Sequence, residues 1–119
     1  MGIWGMTNLK DRFNVQGFGE EVGVIDRIKK CGETEDVEGI ELHVPTEINE
    51  QNAKEIEKVL KDYNLQMVML CGHTWVEKQY KFGALGNSDN KIRKNAINRV
   101  KEALDMGTRF GISSSVLWP

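Results

Sequence analysis

The sequence predicts an α/β fold built on parallel strands. Short apolar runs alternate with longer stretches whose apolar residues recur at helical spacing. The alternation reads β-α-β-α-β-α-β over 119 residues. Strands separated by helices pair in parallel, through right-handed crossovers. All three tryptophans and both histidines fall at or just after the ends of the predicted strands.

The first strand is Gly2-Ile3-Trp4-Gly5-Met6, and residues 7–19 form a polar loop with Asn14, Gly17 and Gly19 as turn residues. This loop carries Arg12, Phe13 and Phe18, placed to fold back over a neighbouring surface. Residues 20–31 read as a helix with Val22, Ile25, Ile28 and Cys31 as its apolar stripe. Glu20 and Glu21 suit its positive N-terminal end, Lys29 and Lys30 suit the other end, and Gly32 stops it. The second strand, Gly39 to Val44, ends on His43-Val44 and is halted by Pro45.

Asn49 is a good cap for the second helix, whose stripe is Ile56, Val59, Leu60 and Tyr63. Residues 65–71 are nearly all apolar and follow Asn64 directly, which fits a strand buried on both faces. Residues 72–87 make a long loop holding His73, Trp75, Tyr80 and Phe82, and loops of this length more often carry function than not. Ser88 or Asp89 caps the third helix, with Ile92, Ala96, Val100, Ala103, Leu104 and Gly107 on its inner stripe and Gly111 at its exit. A fourth strand covers residues 112–118 before Pro119.

Two architectures share these local units. A doubly wound sheet usually announces itself by a glycine-rich first turn, and neither GxGxxG nor GxxxxGK[ST] is present. A (βα)₈ barrel fits the units, yet needs roughly twice this length. On the barrel reading, residues 1–119 are a single partial domain, about half of the whole.

Composition excludes some function classes. A formal net charge of -2 gives no electrostatic footprint for nucleic acid, and the cluster Lys91-Ile92-Arg93-Lys94 reads as a solvated helix face. No apolar run reaches the ~20 residues of a membrane span. The first residues lack a signal-peptide pattern, and Met6 stands where a myristoylation motif needs Ser or Thr. Cys31 and Cys71 lack CxxC spacing, as in a protein of the reducing cytoplasm.

Ligands of parallel α/β folds sit at the C-terminal ends of the strands. The residues there are Trp4, His43, His73, Trp75 and Trp118. Aromatic walls with a few polar groups suit a sugar, whose CH faces pack on indole while its hydroxyls seek hydrogen bonds. His43 is the candidate catalytic residue, because an imidazole exchanges protons near neutrality. Trp4, His73, Trp75 and Trp118 are the candidate substrate-binding residues. His43, Cys71 and His73 also raise the thought of a metal, but Cys71 and His73 lie two apart and no carboxylate completes the set, so no metal ligand is assigned.

Four stretches together resemble a known family: Gly2-Ile3-Trp4-Gly5 with Asp11-Arg12-Phe13; Gly39-Ile40-Glu41-Leu42-His43; Phe82-Gly83 through Asn87-Ser88-Asp89-Asn90-Lys91-Ile92-Arg93; and Val116-Leu117-Trp118-Pro119. In order and spacing they resemble the N-terminal half of a xylose-isomerase-like TIM barrel, in the superfamily of sugar isomerases and epimerases. The resemblance implies four parallel strands and three helices forming half of a (β/α)₈ barrel. It also implies aldose–ketose isomerisation assisted by a divalent metal (Mg, Mn or Co), with metal-binding carboxylates on later strands that this chain does not contain. By the same resemblance His43 matches the histidine of ring opening, and Trp75, Trp118 and Trp4 match aromatic residues of the sugar pocket. The family's histidine is followed three residues later by an orienting aspartate; that position here is Thr46, with Glu47 one residue further.

The expected function is therefore a part of a sugar isomerase, inactive by itself, that supplies some of the sugar-binding rim. The expected partners are a small sugar and either a C-terminal half barrel or a further copy of the chain. The alternatives are a non-catalytic half barrel that works by assembly and a small flavodoxin-like binding module.

Overall fold

A computed structural model describes residues 1–118. It contains three strands, β1 (Gly39–Val44), β2 (Gln66–Gly72) and β3 (Ser115–Val116), and three helices, α1 (Val24–Gly32), α2 (Ala53–Asp62) and α3 (Asn90–Arg109). The strands pair in parallel in the order β1-β2-β3, without a switch in direction of winding. His43 lies level with Cys71, and Leu42 with Leu70.

The predicted first strand is shorter than its sequence promised. Gly2 makes a single parallel bridge to Glu41, and the Met1 carbonyl accepts the Glu41 N–H at 2.9 Å. Residues Ile3–Met6 then coil into a 3₁₀ turn. The segment still lies against β1 where a first barrel strand belongs, but the two residues between Gly2 and Gly5 do not extend the ladder. The last strand shrinks for a related reason. Ile112 is tied back to α3 by an N–H bond to the Gly107 carbonyl at 2.9 Å, so only Ser115 and Val116 reach β2. Pro119, read as the end of that strand, lies outside the described residues.

The two faces of the sheet are unlike. Ile40, Leu42 and Val44 of β1 join Leu70 of β2, Ile28 and Cys31 of α1, Ile56, Val59 and Leu60 of α2, and Ala103 and Met106 of α3 in one buried cluster. All three helices thus cover the same face. Glu41 and His43, two residues apart on β1, point the other way into a cavity. Helices on one face and sequential strands are the arrangement of part of a (β/α)₈ barrel; a flavodoxin-like sheet carries helices on both faces.

Local departures have simple causes. The first helix begins at Val24 rather than at residue 20, so its inner stripe is Val24, Arg27, Ile28 and Cys31. In α3, Met106 turns inward and Leu104 outward, as the 3.6-residue repeat from Ala96 and Ala103 dictates. Asp89 caps α3, accepting the Lys91 N–H at 2.7 Å, while the Asn87 side chain accepts the Asp89 N–H at 2.9 Å. The Asn87-Ser88-Asp89 motif thus builds a helix start. Within the long loop, Tyr80 and Ala84 are buried against Ala96 of α3, so part of that loop is packing rather than site.

Gly72 ends β2 where α3 crosses closest. A Cβ added there would stand 3.0 Å from the Arg99 carbonyl oxygen and 3.1 Å from the Val100 Cα. Both are backbone atoms of a long helix and cannot step aside. Gly72→Ala is expected to lower stability by about 1–3 kcal/mol, read as a lower midpoint in urea with an unchanged slope; an unchanged midpoint would show that α3 is free to shift.

Candidate functional site

Strand β1 delivers His43 to the cavity side of the sheet. Its ring is 3% exposed and is held at both ends of the residue. The His43 backbone N–H donates to Glu47 Oε2 at 2.8 Å, and the His43 Nδ1 lies 2.9 Å from the same oxygen. Glu47 can reach back because the chain turns tightly after Pro45, with the Glu47 and Ile48 N–H groups both donating to the His43 carbonyl. A carboxylate at Nδ1 selects the Nδ1–H tautomer, which leaves Nε2 as the free ring nitrogen.

The second carboxylate oxygen, Oε1, meets Nη1 of Arg27 in a buried ion pair. Arg27 Nη1 also donates to the Ile3 carbonyl at 3.2 Å, next to Trp4. The pKa of Glu47 reflects a contest. Burial works to raise it, but the hydrogen bond and charge of His43, together with Arg27, outweigh burial and hold it below the usual carboxylate range.

His73 follows β2 and lies beside His43, with ring centroids 4.8 Å apart and the planes 29° from parallel. Its Nδ1 is 2.6 Å from the Thr46 hydroxyl. Burial pushes the His73 pKa down to about 3, with the neighbouring His43 charge adding to the effect, so His73 is a neutral ring at physiological pH. Trp75 presents its edge to both imidazoles, at 5.1 Å from His43 and 4.3 Å from His73. Trp118 continues the wall at 6.3 Å from Trp75, and Trp4 approaches His43 at 6.5 Å from the opposite side. Trp4 and Trp118 are about half exposed, at 47% and 56%.

All five candidate residues therefore line one cavity of about 780 Å³, together with Arg12, Arg27, Glu41, Thr46 and Glu47. That volume is within the range of small-molecule sites. Two of the cavity's groups escaped sequence reasoning. Glu47 was visible only as a carboxylate one residue off pattern. Arg27 was hidden by the misplaced start of α1; with Val24 as the first residue, a charge on the inner stripe becomes the signal.

The donor set does not suit a divalent cation. His43 Nδ1 is engaged by Glu47 and His73 Nδ1 by Thr46, and the Cys71 thiol is pushed up to about 11 by burial, far from thiolate. Among the described residues no three His, Cys, Asp or Glu side chains converge on a point that could hold a metal.

With this geometry in hand, comparison with known proteins becomes informative. No family model matches the chain. It is 24% identical over 129 aligned positions to a xylose isomerase of Thermus thermophilus, covering 99% of the chain and 32% of the relative. The chain is similar to xylose isomerases. A xylose isomerase of Thermus caldophilus gives the same identity and coverage, and a probable sugar isomerase of Mesorhizobium japonicum is 23% identical over 97% of the chain and 29% of its own length. The chain spans about a third of the length of these curated relatives. The similarity is distant and consistent with an N-terminal part of a xylose-isomerase-like protein. Among the described residues no helix is long and apolar enough to cross a membrane.

Glu47, one residue beyond Thr46, is the carboxylate that binds His43, and the Thr46 hydroxyl binds His73 instead.

The two shifted groups set an acid limit on the fold. His73 has a folded pKa near 3 against an ordinary 6.5, so the unfolded chain binds the extra proton between these values and stability falls as pH drops through that window. Glu47 has a lowered pKa, so its contribution is present above about 4.5 and is lost as pH falls through its folded value. Urea midpoints should fall steadily from pH 6.5 downward, and His73→Gln should flatten the decline above pH 4.5. A wild-type midpoint that stays level across this range would contradict the buried, neutral His73.

Proposed function

We propose that this chain is the N-terminal part of a sugar isomerase and forms one domain unit of a barrel over residues 1–119. It supplies the wall and the ring-opening group for a cyclic aldose. The observation that carries this reading is the meeting of His43, His73 and the three tryptophans in a single cavity with room for a sugar, with the His43 imidazole held by a carboxylate. Distant similarity to sugar isomerases supports the substrate class.

The tryptophans pack against the CH faces of the sugar ring, and the neutral His73 exchanges hydrogen bonds with its hydroxyls. His43 is the acid/base group. Its free Nε2 takes the proton of the anomeric hydroxyl as the C1–O5 bond of the ring breaks, and that proton is returned to O5. Glu47 stabilises the imidazolium in between. A divalent metal, when bound in the completed protein, would supply Lewis-acid assistance to the aldose–ketose step, and its ligands belong to residues outside this chain.

The partner is the rest of the barrel, either a C-terminal half or a second copy. The exposed Phe13, Phe18 and Phe82 at the loop end, with the half-exposed Trp4 and Trp118, support a face that is covered in the working assembly.

The test separates the half-reaction from the whole one. The purified chain should bind a cyclic aldose weakly, with a Kd on the order of 1 mM, and speed anomer exchange measured by NMR. His43→Ala should lower that exchange about 10²-fold while leaving the fold intact. The chain alone, with Mn²⁺ or Mg²⁺ added, should not convert aldose to ketose. Ketose formation by the purified chain would overturn the partial-site reading, and absence of any sugar binding would overturn the substrate class.

A further inference from the structure

Arg27 lies outside every stretch that carries the resemblance, yet it ties together three segments of the cavity wall. It is 5% exposed, sits on the inner stripe of α1, and uses one nitrogen, Nη1, for both the Glu47 carboxylate and the Ile3 carbonyl. Its Nε is buried and finds no partner among the described residues. An ion pair taken out of water and left with an unmet donor is a poor device for stability, since well-packed apolar side chains of similar volume do as well or better. Its geometry is better suited to orientation.

Three parts of the wall meet at this guanidinium. Ile3 precedes Trp4, Glu47 follows β1, and α1 supplies the arginine. The carboxylate has two oxygens and two clients: Oε1 faces Arg27, and Oε2 receives both the backbone N–H and the ring Nδ1 of His43. With Oε1 fixed, Oε2 has one place to be. Without the guanidinium, the carboxylate is free to swing toward water in the cavity and leave Nδ1.

We infer that Arg27 is a positioning residue for His43: it locks Glu47 in the rotamer that fixes the Nδ1–H tautomer, and through Ile3 it holds the Trp4 wall in place beside that ring. The inference rests on His43 being the acid/base group of the proposed function, and it concerns a residue that never touches the sugar's reacting atoms.

The chain has only two histidines, so imidazole nitrogen NMR resolves each one. In the wild-type chain His43 is expected as the Nδ1–H tautomer, and the Arg27 Nη groups as separate, slowly rotating signals. Arg27→Gln should shift the His43 tautomer ratio about tenfold toward Nε2–H, the swing expected when one charge-assisted hydrogen bond is weakened. Arg27→Lys, which keeps the cation, should restore the ratio to within about twofold of wild type. An unchanged ratio in Arg27→Gln, even with a lowered melting temperature, would reduce Arg27 to a structural role and overturn the inference. If Arg27→Gln does not fold, the wild-type guanidinium decides: free rotation with rapid solvent exchange overturns the inference, and hindered rotation supports it. Failure of sugar binding with this tautomer dependence intact would overturn the proposed function and leave the role of Arg27 standing.

Discussion

A carboxylate removed from water has to be compensated, and the site is arranged around how Glu47 is. It takes one cation from α1, a ring N–H from the end of β1 and a backbone N–H from the same histidine. Each contact constrains a different element. The arginine fixes the roll of α1 against the opening segment, the backbone bond fixes the turn after β1, and the ring bond fixes the imidazole. Because these constraints share one side chain, the cavity wall and the candidate acid/base group cannot be positioned independently. The tryptophans then fill in around a point already determined.

The sheet makes this possible by keeping its two faces chemically apart. The face under the helices is a continuous apolar cluster. The opposite face carries Glu41 and His43 on β1, in a position where water and ligand can reach them. Polar groups on that face need no apolar surroundings, so the chain can place titratable side chains on either side of the fully buried Leu42 without disturbing the core.

Much of this was legible beforehand. The helical stripes of α2 and the uninterrupted apolar run of β2 forced those elements, and parallel order followed from alternation. Strand-end placement of His43, His73, Trp75 and Trp118 was readable because a β/α chain sends its strand ends to one side. What escaped was governed by tertiary contact. The opening segment pairs with β1 at a single residue, which no local pattern encodes. The inward turn of Arg27 depended on a helix start at Val24, which no capping side chain marks. Most instructive is Glu47. Counting residues from His43 predicted a missing partner, while the tight turn after Pro45 brings the next residue to the required place.

Thr46 shows how tightly the position of a buried carboxylate is tied to its neighbours. Its hydroxyl now serves His73, a neutral ring stacked on His43. Moving the carboxylate from residue 47 to residue 46 would take two substitutions, and the order matters. An aspartate introduced first at residue 46 would bring a second anion beside Glu47 and would also strip His73 of its hydroxyl partner. Loss of Glu47 first would leave Arg27 with an uncompensated buried charge. Either single change leaves a buried group without its partner, so residues 46 and 47 are coupled and a carboxylate can move between them only if both change together.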